Sequence, residues 1–294
     1  MTRLISTLLL GTALAVPAMA EQHGEPVEQG AKNVPEFEPA WPNQTRAPAM
    51  DSGVTLSTQV VADGLTHPWG VEVLPDGSYL VTERAGQLRH ITREGEMHDP
   101  ISGVPEVFNR DQGGLLDVAL AQDFEDSRTI YLTYSKPMGD GMSVTAAARG
   151  TLTEDMSALE DVTDIFVQTP PSPTAKHYGS RVVLDGDYAY ITTGEHSSMS
   201  ERGNAQDLDK TYGKVIRVNL DGSIPEDNPF VGREGDDAIW SLGHRNMQGA
   251  DLAPDGSLFV LEHGPAGGDV LDDGSIVFLT DFENGSVMHV TAKD

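Results

Sequence analysis

The sequence predicts an all-β protein of the β-propeller class, and three of its features lead to that prediction. Glycine and proline are abundant, with 31 and 18 of 294 residues, which indicates many turns between short strands. Runs of β-branched and aromatic residues follow turns centred on aspartate, and this unit recurs along the chain. Helical periodicity is nearly absent, and only residues 151–163 have room for one short helical turn.

The clearest repeating unit is a Pro75-Asp76-Gly77 turn followed by the strand-like run Tyr79–Glu83. Its turn aspartate has four counterparts, spaced by 50, 59, 70 and 18 residues in turn: Asp126, Asp185, Asp255 and Asp273. Repeats of about 40–50 residues built from short strands are typical of propellers, in which each blade is a four-stranded sheet. An irregular β-sandwich, whose hairpins also use Asp-Gly turns, is the alternative fold.

The last spacing is too short for a blade. Four strands of five or six residues with their turns need roughly 30 residues, whereas Asp255 and Asp273 are 18 residues apart. We therefore expect an incomplete propeller with about five blade motifs, in which a segment near residues 269–272 is missing.

The first twenty residues predict a cleaved secretory signal peptide. Arg3 gives a positive start, residues 4–16 are apolar, and Ala18-Met19-Ala20 supplies the small residues before a cleavage site between Ala20 and Glu21. A retained anchor is the alternative, although the apolar run is shorter than a bilayer-spanning helix needs. Residues 21–53, rich in Pro, Glu and Gln, predict an extended arm, and residues 54–294 predict the propeller domain. The expected location is therefore periplasmic or secreted.

The charge of the chain excludes two classes of partner. Asp and Glu number 46 against 19 Lys and Arg, which gives a formal net charge of −27. So acidic a surface repels nucleic acid and anionic membrane, and no later segment is apolar enough to span a bilayer. With no cysteine in the chain, disulfides, thiolate metal sites and thiol nucleophiles are also excluded.

Four segments combine polar residues and glycines at strand ends or loops: residues 110–116, 177–181, 243–249 and 262–269. Loops at one face of a propeller converge on its axis, so distant segments can share one pocket. The sequence contains no Walker or Rossmann fingerprint, no His-Glu-x-x-His zinc helix and no Gly-x-Ser-x-Gly elbow.

In this order, with Asn228-Pro229-Phe230 and Pro68-Trp69-Gly70 also present, the four segments resemble the soluble quinoprotein aldose sugar dehydrogenases of the glucose/sorbosone dehydrogenase family. The resemblance covers residues 41–269 and resumes over residues 272–290. It implies a six-bladed propeller that uses calcium and pyrroloquinoline quinone (PQQ). It also implies oxidation of an aldose at C1 to the lactone, with electrons passed to a soluble acceptor.

The resemblance assigns roles to individual residues. His177 matches the catalytic base, a task that suits an imidazole because its pKa lies near the working pH. Arg245 and Asn246 match the pair that contacts the quinone oxygens, where a guanidinium stabilises developing negative charge. Gln112 matches a glutamine that lines the sugar and cofactor pocket. His244 reads as a packed turn residue.

The resemblance also implies a calcium site. Gly264 and Pro265 match the positions whose backbone carbonyls bind the ion, and Asp269 matches an acidic residue beside it. The chain departs from the family pattern here, since Ala266 stands where an arginine is usual. The segment with the lysine and arginines that bind the PQQ carboxylates does not follow Asp269 either.

Two other functions stay open at this point. One is a propeller that has lost catalysis and binds sugar or calcium, or nothing. The other is a calcium-dependent lactone hydrolase, against which the lack of acidic residues clustered on the axis argues. Fold class alone does not choose among them, because propellers carry many functions.

Overall fold

The computed structural model describes residues 53–263, the strands at 278–281 and 286–293, and a few earlier positions: 25, 29–31 and 49. The expectations for residues 1–20, for most of 21–53 and for the missing segment near 269–272 thus fall outside the described residues. All the sheets belong to one compact unit that begins at Thr55. Within the described ranges, the protein contains no helix with the length and hydropathy that crossing a membrane requires.

The described chain is almost entirely β-structure, in five antiparallel sheets. Its strands are, in order, β1 (Thr55–Ala62), β2 (Pro68–Val73), β3 (Tyr79–Glu83), β4 (Gln87–Ile91), β5 (Leu115–Leu120), β6 (Thr129–Pro137), β7 (Ser143–Leu152), β8 (Leu159–Val167), β9 (Gly179–Asp185), β10 (Tyr188–Thr193), β11 (Lys214–Asn219), β12 (Ile239–Leu242), β13 (Met247–Leu252), β14 (Leu258–Glu262), β15 (Phe278–Asp281) and β16 (Ser286–Lys293). Two short helices complete it, α1 (Phe124–Ser127) and a 3₁₀ helix (Arg202–Gln206).

Successive sheets follow one another around an axis. Strands β2 to β4, β5 to β8, β9 to β12, and β13 with β14 form four sheets in which neighbours in sequence pair. The first strand of each sheet lies beside the first strand of the next, so that β2, β5, β9 and β13 form the inner ring. The fifth sheet pairs β1 with β16 and β16 with β15. The predicted all-β propeller is confirmed, because a sandwich would stack two sheets face to face instead.

The recurring aspartate turns mark one position in each sheet, the connection between its first and second strands. Asp76 and Asp255 each accept a hydrogen bond from the backbone N–H of the serine two residues later, at 2.9 Å. Asp185 ends β9 at the same kind of connection. Asp126 differs because it lies in the single helical turn α1. Asp273 lies outside the described residues.

One local expectation is wrong. Residues 151–163 form no helical turn; they contain the end of β7, a tight turn and the start of β8. In that turn the Asp155 carboxylate accepts hydrogen bonds from the Ser157 N–H and hydroxyl groups, at 3.1 and 2.8 Å. This arrangement favours a reversal of the chain over a helix.

Apolar side chains fill the spaces between neighbouring sheets. One buried cluster joins the first two sheets and includes Leu80, Leu88 and Leu115. A second joins the next pair and includes Ile191 and Ile216. The strands nearest the axis are thereby held in fixed positions, which matters because the loops at their ends carry the candidate site.

An ion pair between a buried aspartate and a partly exposed arginine ties the inner strands together. Arg181 on β9 donates from Nη1 to Asp117 Oδ1 on β5 at 2.6 Å, and from Nε to the Gln248 carbonyl on β13 at 2.8 Å. The guanidinium lies 4.9 Å from the ring centroid of Trp69 on β2. The Val182 N–H donates to the other Asp117 oxygen. The Arg181 guanidinium thus contacts all three of the other inner strands.

The Glu72 side chain lines a cavity of about 330 Å³ beside this pair, and ionisation of its carboxyl group is unfavourable there. Burial raises the pKa of Glu72 to about 7; the nearby Asp117 and, more weakly, Asp251 raise it as well, while Arg181 lowers it. A carboxyl whose pKa rises on folding contributes stability at low pH that is lost as the pH rises through the folded value.

We therefore predict that Glu72→Gln stabilises the protein at pH 8, where the native side chain is ionised, by about 1–2 kcal/mol. The gain should shrink as the pH falls towards 5, because the native carboxyl is then protonated in the folded state. Thermal melts at both pH values measure this difference. Glu160→Gln, at an exposed position, is the control and should leave it near zero. An equal gain at both pH values would contradict the prediction.

Candidate active site

His177 lies in the loop between β8 and β9 and is 7% exposed. Its Nδ1 atom is 2.7 Å from Glu195 Oε2, and its Nε2 atom makes no hydrogen bond to any residue that the structure describes. An imidazole that donates Nδ1–H to a carboxylate keeps its lone pair on Nε2. The geometry therefore leaves Nε2 as the atom that can accept a proton.

Glu195 follows strand β10, and no motif in the sequence points to it. One of its carboxylate oxygens also accepts the Ser197 N–H at 2.6 Å. Its own N–H donates to the Arg245 carbonyl at 2.9 Å. Burial raises the pKa of Glu195, but the hydrogen bonds from His177 and Ser197 outweigh it, so the pKa lies below its usual value. The only signal in the sequence is an acidic residue just past a predicted strand, which is too common to single out.

A glycine allows the two partners to approach each other. A Cβ atom on Gly194 would lie 1.7 Å from the His177 carbonyl oxygen, so no other residue fits without moving the backbone. His177 itself has φ of 48° and His196 has φ of 63°, both in the left-handed region. Left-handed residues other than glycine persist where the surrounding structure holds them.

His196 packs against the chain segment that leads into His177. It is fully buried, and its Nε2 atom lies 2.8 Å from Gln168 Oε1 while Nδ1 lies 3.1 Å from the Lys176 carbonyl. Burial lowers the pKa of His196 to about 4. The ring is therefore neutral at physiological pH, and its single N–H donates to one of these two oxygens.

Two of the predicted cofactor residues hold the His177 segment through their side-chain oxygens. Gln112 Oε1 accepts the His177 N–H at 2.8 Å, and Asn246 Oδ1 accepts the Gly179 N–H at 3.0 Å. These contacts fix which end of each amide is oxygen, because only oxygen accepts an N–H. Neither amide NH₂ group has a hydrogen-bond partner among the described residues, so both remain free to donate to a ligand.

The Arg245 side chain, on the loop after β12, approaches the Glu195 carboxylate. Its Nε atom is 4.0 Å from Glu195 Oε1, and its side chain is 30% exposed. The Glu262 carboxylate holds its backbone, accepting the Arg245 N–H at 2.6 Å. His244 contacts Glu262 at 3.1 Å and Ser241 at 2.8 Å, the contacts of a packed turn residue.

The structure therefore brings four of the predicted residues together: Gln112, His177, Arg245 and Asn246. The predicted metal ligands Gly264, Pro265 and Asp269 lie outside the described residues. Over the described ranges, no group of three or more His, Asp and Glu side chains is arranged to hold a metal ion. This finding does not bear on the expected calcium site, because two of its expected ligands are backbone carbonyls and not side chains.

Comparison with known proteins gives the site its context. The chain is 45% identical over 222 residues to the aldose sugar dehydrogenase YliI of Escherichia coli, a match that covers 74% of this chain and 59% of the relative. It is 31% identical over 240 residues to quinoprotein glucose dehydrogenase B of Acinetobacter calcoaceticus, covering 73% and 49%. The chain thus spans between about half and three-fifths of the length of these relatives.

Solved structures share the fold. The apo form of the soluble aldose sugar dehydrogenase from E. coli matches with a TM-score of 0.70 at 44% identity, over 73% of this chain and 62% of that one. The PQQ-bound form of the aldose sugar dehydrogenase from Streptomyces coelicolor matches with a TM-score of 0.61 at 29% identity, over 71% and 61%. The family model for glucose/sorbosone dehydrogenase matches residues 65–287. The chain therefore belongs to the glucose/sorbosone dehydrogenase family, as its sequence motifs predict.

Proposed function

We propose that this chain oxidises an aldose at C1 to the lactone with PQQ and calcium, and that His177 is the general base. The observation that carries the proposal is the 2.7 Å contact between His177 Nδ1 and Glu195 Oε2, which leaves Nε2 for proton transfer. The names of the E. coli and Acinetobacter relatives support a sugar substrate. The PQQ-bound Streptomyces relative supports the cofactor.

The donors of the described site fit a quinone. Arg245 is partly exposed, and the amide NH₂ groups of Gln112 and Asn246 have no partner among the described residues. Carbonyl oxygens on a flat ligand need such N–H donors. Gly264, Pro265 and Asp269 are the residues we propose for calcium, which takes carbonyl and carboxylate oxygens.

When bound, PQQ supplies the two-electron acceptor for the C1 hydrogen, which leaves the sugar as hydride. His177 Nε2 takes the proton of the C1 hydroxyl, so the sugar loses one hydride and one proton and becomes the lactone. Glu195 orients the imidazole and stabilises the positive charge that the ring gains. The Arg245 guanidinium offsets the negative charge that the acceptor gains in the transition state.

A propeller that binds sugar or calcium without catalysis is the second candidate, and one observation favours it. Between Arg245 and Lys293 the sequence contains no lysine or arginine. PQQ carries three carboxylates, and burying carboxylates without cationic partners is unfavourable. For either candidate, a soluble electron acceptor and an exported location, the latter based on residues 1–20, remain part of the proposal.

Reconstitution separates the two candidates. We expect the purified chain without residues 1–20 to reduce a redox dye with glucose when PQQ and Ca²⁺ are both added, and a chelator to abolish that reduction. Calorimetric titration with PQQ gives a second readout that needs no turnover. PQQ binding without dye reduction would support the binding-only candidate. The absence of both would remove the enzyme proposal.

His177→Ala should lower kcat with glucose by about 10²–10⁴-fold, the usual contribution of a general base. PQQ affinity should change little, because the loop is also held by Gln112 and Asn246. The melting temperature should fall modestly, because Glu195 loses its hydrogen bond from His177. The matched control is His98→Ala, at an exposed position in the chain segment after β4, which should retain wild-type kcat. A His177→Ala protein with undiminished activity would falsify the assignment of the base.

Glu195→Gln should lower kcat by about 10–100-fold, because the amide can accept from His177 but does not stabilise a charged ring. The KM for glucose should change less than kcat.

The same variant tests the effect of Glu195 on stability. A carboxyl whose pKa is lowered on folding contributes stability at pH values above its ordinary pKa of 4.5, and this stability is lost as the pH falls through the pKa of the folded state. The variant should therefore be destabilised at pH 7, and the difference should narrow below about pH 4. Steady-state kinetics and melts at both pH values measure these effects; a purely structural residue would lower stability without lowering kcat in the folded fraction.

A further inference from the structure

Two cations lie on the two loops that present Gln112 and His177, and a third contacts the first of these loops; the proposed reaction uses none of them. Arg110 stands two residues before Gln112, and Lys176 precedes His177. Arg84 reaches the first loop from the end of β3, donating to the Asp111 and Gly113 carbonyls. In a chain with 46 acidic and 19 basic residues, this is a local excess of positive charge.

The two loops are locked to each other at backbone level. The Gln112 N–H donates to the Ala175 carbonyl at 3.0 Å, and the Gln112 side chain accepts the His177 N–H at 2.8 Å. Gly113 leaves no space for a larger residue, because its Cβ would lie 2.5 Å from the Phe108 carbonyl oxygen. The charged residues of both loops are therefore attached to a fixed backbone beside the proposed base.

Two of the three cations are free to meet a ligand. Arg110 is exposed, and its guanidinium makes no hydrogen bond or ion pair within the described part of the chain. The Lys176 Nζ atom is 3.7 Å from Asp111 Oδ2, and the two side chains are 48% and 47% exposed. This distance is too long for a hydrogen bond, and exposed pairs contribute little to stability. Neither side chain is needed to hold the loops.

Arg110 also lies close enough to act on the segment of the base. Burial raises the pKa of Tyr178, the residue after His177, and among the lesser influences Asp111 raises it while Arg110 lowers it. The Tyr178 hydroxyl itself is 2.6 Å from the Ser143 hydroxyl, inside the second sheet. The charge of Arg110 therefore acts on Tyr178, the residue that follows His177 in the chain.

We propose that Arg110 and Lys176, supported by Arg84, form a subsite for the anionic group of an acidic aldose. Such a sugar carries a carboxylate or phosphate on its carbon chain, away from the reacting C1. The inference rests on the proposed function, because it places C1 at His177 Nε2. A chain of −27 repels anions, so an anionic substrate requires local cations at the site, and arginine pairs well with carboxylate and phosphate. Neutral sugars gain nothing from these charges.

The test compares glucuronate and glucose 6-phosphate with glucose on the protein loaded with PQQ and Ca²⁺. In the double variant Arg110→Gln, Lys176→Gln, the ratio of kcat/KM for each anionic sugar to that for glucose should fall by about tenfold, the effect of losing roughly one charge-assisted hydrogen bond. In wild type the same ratio should fall when NaCl is raised, since salt screens exposed charges. The control is Arg93→Gln, Lys210→Gln, which removes the same two charges from other surfaces and should leave the ratio unchanged.

A ratio that does not move in the Arg110/Lys176 double variant would overturn the subsite. So would an equal fall in the control, which would indicate an effect of net charge. If calorimetry shows that the double variant loses PQQ affinity while the sugar ratio is unchanged, the cations serve the cofactor and the proposal is wrong. If wild type turns over no sugar, the proposed function fails by itself; calorimetric titration with glucuronate, in wild type and double variant, then still decides whether an anion binds here.

Discussion

The position of His177 depends on two side-chain oxygens that accept the backbone N–H groups around it. Gln112 belongs to the second sheet's entry loop and Asn246 to the loop before the fourth sheet, and they bind the His177 and Gly179 N–H groups. Gly194 allows the chain just after β10, which carries Glu195, to lie against the same segment. The imidazole therefore sits where three different sheets meet, and its orientation follows from the ring of sheets as a whole.

Much of the fold could be predicted because turn chemistry is local. Asp76 and Asp255 bind the serine two residues later whatever the rest of the chain does, and the strand-like runs behind them form β3 and β14. The sequence of sheets could be inferred from the recurrence of that unit. The turn at 151–163 was misread since a short polar stretch between two strands carries little periodicity to separate a turn from a helix.

The site was only partly predictable, for a different physical reason. The motifs identified Gln112, His177, Arg245 and Asn246, and the structure brings these residues together. Gln112 and Asn246 also accept hydrogen bonds from the backbone around His177, and these contacts join different sheets, so no single motif shows them. Glu195 was missed on the same ground, because only the fold brings it to the His177 ring. The axial pair Arg181 and Asp117 is a further cross-sheet contact of this kind.

The pairing of β1 with β16 has a consequence for how the molecule is made. Thr55 lies opposite Lys293, so the first of the described strands finds its partner only in the last of them. Contacts so distant in sequence form slowly, and until they form the edge of β1 is open to pairing with other chains. During synthesis the early blades can collapse on their own cores, whereas β1 waits for β16 to emerge before it can pair. Nascent molecules should therefore depend most on chaperones in that interval.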